Sequence, residues 1–180
     1  MSHRPVRRRS LQALTVAIIS GLVLTGCGFN AQTLQPYTPA EGVNIDIGDI
    51  KVRNVVVVAD ETGHGVVSGS LVARTADSVA SVAVLPIGAD DTVGEPLTVT
   101  ELRPVALPAR DLVVLTDPSP AFALSGSDLT PGLTVAISLT FASGASERLI
   151  APVVSSEDTA FVEVGNAIPT PEPTSPTPAP

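Results

Sequence analysis

Two side chains stand out as able to do covalent or metal chemistry: the single thiol, Cys27, and His64, the one imidazole beyond the first few residues. Cys27 follows Leu24-Thr25-Gly26. The small residues Thr25 and Gly26 let a peptidase approach the bond before it, and a thiolate is the nucleophilic form of the side chain. His64 lies in Asp60-Glu61-Thr62-Gly63-His64-Gly65, with two carboxylates close by in sequence. A metal centre wants imidazole and carboxylates converging, usually from separate chain segments. Asp60, Glu61 and His64 are the nearest approach to a ligand set, yet they share one glycine-flanked turn. A solvated hairpin loop is the expectation there.

Nucleophilic catalysis finds little support. A serine nucleophile needs a base at hydrogen-bond distance and a third group to orient it. His64 is the sole imidazole on offer, no G-x-S-x-G turn is present, and a serine–lysine pair would have to use the only lysine, Lys51. Asp90-Asp91 lacks the alternating oxygen ligands and closing acid of a calcium loop, so a polar turn is expected. With no tryptophan and only Tyr37 and four phenylalanines, the chain offers no aromatic platform for sugar rings or bases. No enzymatic activity and no cofactor are expected.

The segment ahead of Cys27 says where the thiol acts. Arg4, Arg7, Arg8 and Arg9 form a cationic head, and an uncharged apolar run from Leu11 to Leu24 follows. This is a secretory signal, too short and wrongly flanked for an ordinary membrane span. Its ending resembles the lipobox of bacterial lipoproteins. The resemblance implies that Cys27 takes a diacylglycerol and becomes the new N-terminus. Residues 1–26 are then a signal peptide and the protein is a palmitate-type lipoprotein. Its expected place is the outer, extracytoplasmic face of the cell membrane, held by acyl chains on Cys27. Export by the general or the twin-arginine route both remain open, since Arg8-Arg9-Ser10-Leu11 loosely fits the latter signal.

From Cys27 onward six basic residues face 18 acidic ones, a formal balance of −12. Nucleic acid is excluded as a partner, because displacing its counterions needs clustered cations. Adhesion to anionic head groups by charge alone is excluded as well. The remaining expected partner is a protein or a cell-wall component.

Three zones follow the signal. Residues 27–44 are polar and aperiodic and read as a disordered tether. Residues 45–164 form one domain large enough to bury a real core. Residues 165–180 make a disordered tail, with six prolines among the last thirteen residues favouring extended polyproline II. In the domain, Leu133, Val135, Ile137, Leu139 and Phe141 alternate with small polar residues, a period of two over nine residues. A turn at Ser143-Gly144-Ala145 leads to a return strand carrying Leu149, Ala151 and Val153. Val55-Val56-Val57-Val58 marks a buried strand within Ile50–Ala59. Residues 66–74, 79–85, 96–102 and 111–116 read as further strands. About seven short strands and no sustained helical period predict an all-β, antiparallel Greek-key β-sandwich.

The strand IKVRNVVVVA, the stretch GSLVARTADSVASVAV, the turn LPARDLVVL and the hairpin LTPGLTVAISLTFASGASERLIAPV are similar to their counterparts in periplasmic copper chaperones of the PCuAC type. That resemblance covers most of the domain and implies a sandwich of the immunoglobulin- or cupredoxin-like kind. It also implies copper bound by methionine sulfur and imidazole. Here the ligands are missing: no methionine follows Met1, and neither His nor Met occurs around residues 107–115. The resemblance therefore implies the scaffold, with a divergent copper chaperone or small-ligand carrier as the alternative to a contact module. The opening of the mature chain, GCGFNAQT with IKVRN beyond it, further resembles actinobacterial lipoproteins, which adds a location and no mechanism.

Overall fold

The computed structural model describes residues 41–169. Leu24, Thr25, Gly26 and Cys27, with the rest of the segment read as a signal peptide, most of that read as a tether and residues 170–180 of that read as a tail, lie outside the described residues. Within them the chain forms ten strands: β1 (Val43–Ile47), β2 (Ile50–Ala59), β3 (His64–Ala73), β4 (Asp77–Ile87), β5 (Thr98–Glu101), β6 (Ala106–Leu107), β7 (Leu112–Val114), β8 (Phe122–Ser125), β9 (Thr134–Phe141) and β10 (Ser146–Ser155). One helical turn, α1 (Val162–Gly165), follows. The strands beyond the seven read from the sequence are short: β1 has five residues, β6 two and β8 four. β1 opens at Val43, inside the stretch read as tether, because Val43 and Ile45 find partners in Val55 and Val52.

The sheet runs β5-β8-β3-β2-β10-β9-β4-β6, with β1 added to β2 and β7 to β3. β10 is the seam of the sandwich. Residues Ser146 to Pro152 pair antiparallel with β9. From Val153 to Ser155 the same strand runs parallel to β2, at Val57 to Ala59. Proline has no N–H for a ladder, and Pro152 sits where β10 changes partners.

One core lies between the two halves. Val135, Ile137, Leu139 and Phe141 of β9 and Leu149, Ala151 and Val153 of β10 meet Val55, Val57, Val67 and Leu71 from β2 and β3. This is the face that the alternation predicts. In β2 the alternation breaks once. Asn54 and Val55 oppose Gly69, a bulge in which Asn54 holds φ 53°. The extra residue shifts the phase, so that Ile50 and Val52 before it share the core face with Val55, Val57 and Ala59 after it. A β-carbon on Gly69 would sit 3.2 Å from the Val55 side chain, which suits glycine to this place.

The four-valine run is buried on both faces. Val55 and Val57 enter the main core, while Val56 and Val58, with Val66, form a second cluster on the outer face. Phe161, Val164 and Ile168 cover that cluster, so α1 and the residues after it act as a cap. Full burial of a valine side chain stabilises by about 1.5–3 kcal/mol. The C-terminal segment makes such burial possible for the outer pair.

Candidate functional site

The turn joining β2 to β3 holds all three residues read as the nearest approach to a ligand set. The Asp60 carboxylate accepts hydrogen bonds from the Thr62 N–H (2.8 Å), the Thr62 hydroxyl (2.8 Å) and the His64 N–H (2.9 Å). The Asp60 N–H in turn donates to the His64 carbonyl at 2.8 Å. Burial pushes the Asp60 carboxyl up. The His64 N–H, the two Thr62 donors and the imidazole together outweigh it and leave the group below its ordinary value. His64 Nδ1 lies 3.0 Å from the Thr62 hydroxyl and 4.0 Å from the second Asp60 oxygen. Glu61 is exposed beside them. The structure thus brings Asp60 and His64 together as parts of a self-satisfied hairpin turn.

Gly63 is required for that turn. It holds φ 83°, its carbonyl accepts from the Gly126 N–H at 3.0 Å, and a β-carbon on it would collide with the Gly126 carbonyl. Across the ladder His64 stands opposite Ser125. Both line a groove of about 220 Å³ with Thr100, Leu102 and Ile168. No side-chain hydrogen bond joins His64 to Ser125 among the described residues. Asp90 closes its own polar turn, accepting from the Thr92 hydroxyl at 2.6 Å. Among the described residues, no three of His, Cys, Asp and Glu converge as a metal site would need. No described helix is long and apolar enough to cross a membrane.

A different constellation forms at the far end of β1. A cleft of about 620 Å³ is lined by Asp46, Asp49, Lys51, Arg74 and Arg110, together with Gly48, Val72 and Ala73. Lys51 comes from β2, Arg74 follows β3, and Arg110 lies between β6 and β7. Backbone hydrogen bonds pin the three segments together: the Arg74 N–H donates to the Asp49 carbonyl at 3.0 Å, and the Arg110 N–H to the Ala73 carbonyl at 2.7 Å. Arg53 pairs with Asp46 and donates to the Ile45 and Val52 carbonyls, each at 2.8 Å. No serine lines this cleft, so Lys51 has no nucleophile to activate there.

Nothing in the sequence singles out this cluster. Its members are 23 and 36 residues apart along the chain, and the pairing of β2 with β3, together with the bond from the Arg110 N–H to the Ala73 carbonyl, brings them together. The usable signal was scarcity. Four of the six cations after Cys27, Lys51, Arg74, Arg103 and Arg110, fall at or near strand ends, where side chains gather around turns.

No protein-family profile matches the chain, and no curated protein matches it. Among solved structures it is similar to a copper-bound PCuAC domain from PmoF2, with 16% identity and a TM-score of 0.48, over 63% of this chain and 98% of that one. It is also similar to an apo PCuAC domain from PmoF1, with 18% identity and a TM-score of 0.45, over 63% and 99%. An apo PCuAC domain from PmoF2 matches at 16% identity and a TM-score of 0.46, over 64% and 97%. These are domains of the type that the strand motifs resemble. At such identities neither a ligand nor a site residue transfers.

Proposed function

We propose that this chain is a lipid-anchored, extracytoplasmic binding domain that acts by contact and without catalysis. Acyl chains on Cys27 hold it to the outer face of the membrane. The observation that carries the reading is the cleft around Lys51, Arg74 and Arg110. It has the makings of recognition, since charged groups of both signs converge on a concave surface and its backbone is fixed by hydrogen bonds. The Asp60–His64 turn supports the same reading, because its carboxylate is already engaged by three donors of its own loop.

A copper carrier is the alternative, as the PCuAC domains are in part copper-bound. The residues here do not fit that cargo. Cu(I) selects thioether and thiolate sulfur, and His64 stands among hydroxyl and carboxylate oxygens.

The test is photo-crosslinking in intact cells from a reactive residue introduced at Val72, which lines the cleft. A discrete cross-linked product that disappears when Cys27→Ser releases the protein from the membrane supports an anchored contact module. Absence of any product, with the protein soluble in both forms, would overturn it.

A further inference from the structure

We infer that the cleft around Lys51, Arg74 and Arg110 binds the phosphate group of a polyol or sugar phosphate. This rests on the binding reading above and names its ligand class. Charge bookkeeping within the cleft comes first. Asp46 is taken by Arg53, and Arg74 faces Asp49 loosely at 3.8 Å, with both side chains well exposed. Lys51 and Arg110 make no ion pair among the described residues. Two free cations and a third held loosely therefore surround one space, in a domain whose acids outnumber its bases about threefold.

Arg110 adds a second observation. It holds φ 66°, in the left-handed region where glycine is favoured, and its N–H is fixed to the Ala73 carbonyl. A long charged side chain kept at a strained position beside Arg74 is what a ligand contact would require. A guanidinium offers a planar fork to phosphate oxygens, and an ammonium offers a compact point charge. The pair suits a single tetrahedral dianion.

The overall charge decides what kind of anion. Screening confines each charge to about 10 Å at ordinary ionic strength. A compact phosphate seated between Lys51 and Arg110 feels mainly those cations, whereas a long polyanion would also lie against the acidic remainder. Asp49 also lines the cleft, held only loosely by Arg74, and its carboxylate accepts hydrogen bonds without donating, which makes it a partner for a hydroxyl group next to the phosphate. A phosphate flanked by hydroxyls meets both halves of the cleft.

The experiment is a titration of the full chain, in neutral detergent at about 50 mM salt, with sn-glycerol 3-phosphate, followed by the backbone amide resonances. We expect saturable shifts confined to Gly48, Asp49, Lys51, Arg74 and Arg110. The double variant Lys51→Gln, Arg110→Gly should bind about tenfold more weakly or worse. Glycine accepts φ 66° without strain, so unchanged resonances elsewhere will show that the variant is folded. No saturable shift, shifts outside the cleft, or equal affinity in the variant would overturn the assignment. Vesicles of phosphatidylglycerol distinguish the source. Broadening of the same amides, relieved by glycerol 3-phosphate, assigns a lipid head group, and binding of the soluble compound alone assigns a free or polymer-borne phosphate. A failed titration beside a Cys27-dependent cross-link removes the phosphate assignment and leaves the binding module standing.

Discussion

The Asp77 carboxylate, at the start of β4, accepts a hydrogen bond at 3.1 Å from the backbone N–H of Ser143, 66 residues later in the β9–β10 turn. It also accepts from the Ser78 N–H at 2.8 Å. The Ser143 side chain first, joined by the Ser78, Ser143 and Ala142 N–H groups, outweighs the opposing effect of burial and holds the Asp77 carboxyl below its ordinary value. A carboxyl depressed in the folded state adds stability above its unfolded value, near pH 4, and loses it as pH falls through the folded value. Asp77→Asn should therefore be less stable than the wild type above about pH 5, with the gap narrowing below pH 4. Urea midpoints measured across pH 2–7 would check this. A gap independent of pH would mean that the carboxylate's charge has no part in it.

Arg103 is a clamp. Its guanidinium donates to the carbonyls of Ser119 (2.9 Å), Val114 (3.1 Å), Leu115 (3.3 Å) and Asp117 (2.7 Å), tying the loop after β7 to the loop after β5. A lysine cannot span four carbonyls with one ammonium. Arg103→Lys should cost about 1.5–3 kcal/mol in chemical denaturation, with Arg103→Ala at least as damaging.

The two aromatic residues Phe141 and Phe161 should separate the main core from the cap. Phe141 is 1% exposed within the sandwich, and Phe161 is half-buried on the second cluster. Phe141→Ala is expected to cost about 3–5 kcal/mol, as for other large core truncations. Phe161→Ala should cost about 1–2 kcal/mol. It should also raise hydrogen exchange at Val56, Val58 and Val66 more than elsewhere, since those residues lose their cover.

Arg110→Gly should raise stability by about 1 kcal/mol, because it relieves a left-handed conformation at an exposed position. Thermal unfolding of the single variant would measure it. A fall in midpoint would show that the arginine side chain stabilises the loop through its stem.

His64→Ala should leave calorimetric titrations with Cu(I), Cu(II) and Zn(II) unchanged and stability within about 1 kcal/mol of wild type. Tight, stoichiometric uptake that depends on His64 would restore the carrier reading.

The sandwich was legible because its longest strands carry strict alternation. Val135, Ile137, Leu139 and Phe141 reach the core as their spacing of two dictates. β1 and β8 escaped notice for a physical reason. Five- and four-residue strands take their stability from partners, and a period of two barely registers over such lengths. The hairpin character of the Asp60–His64 turn could be read from its glycines. Lys51, Arg74 and Arg110 were opaque because no local pattern links them. Their meeting depends on the Asn54 bulge, the β1–β2 hairpin and the loop carrying Arg110, and each is set by tertiary pairing.

Because Val57 waits for Val153, about a hundred residues further on, the order in which the chain emerges matters. Through most of synthesis, part of one edge of the four-valine strand has no ladder partner and its outer face has no cap. That edge is open to strand exchange with any neighbouring chain. Both forms of protection arrive together, in the last strand and the single turn of helix after it. A chain truncated before Ser146 would keep β2 and β3 and lose the residues that make them safe.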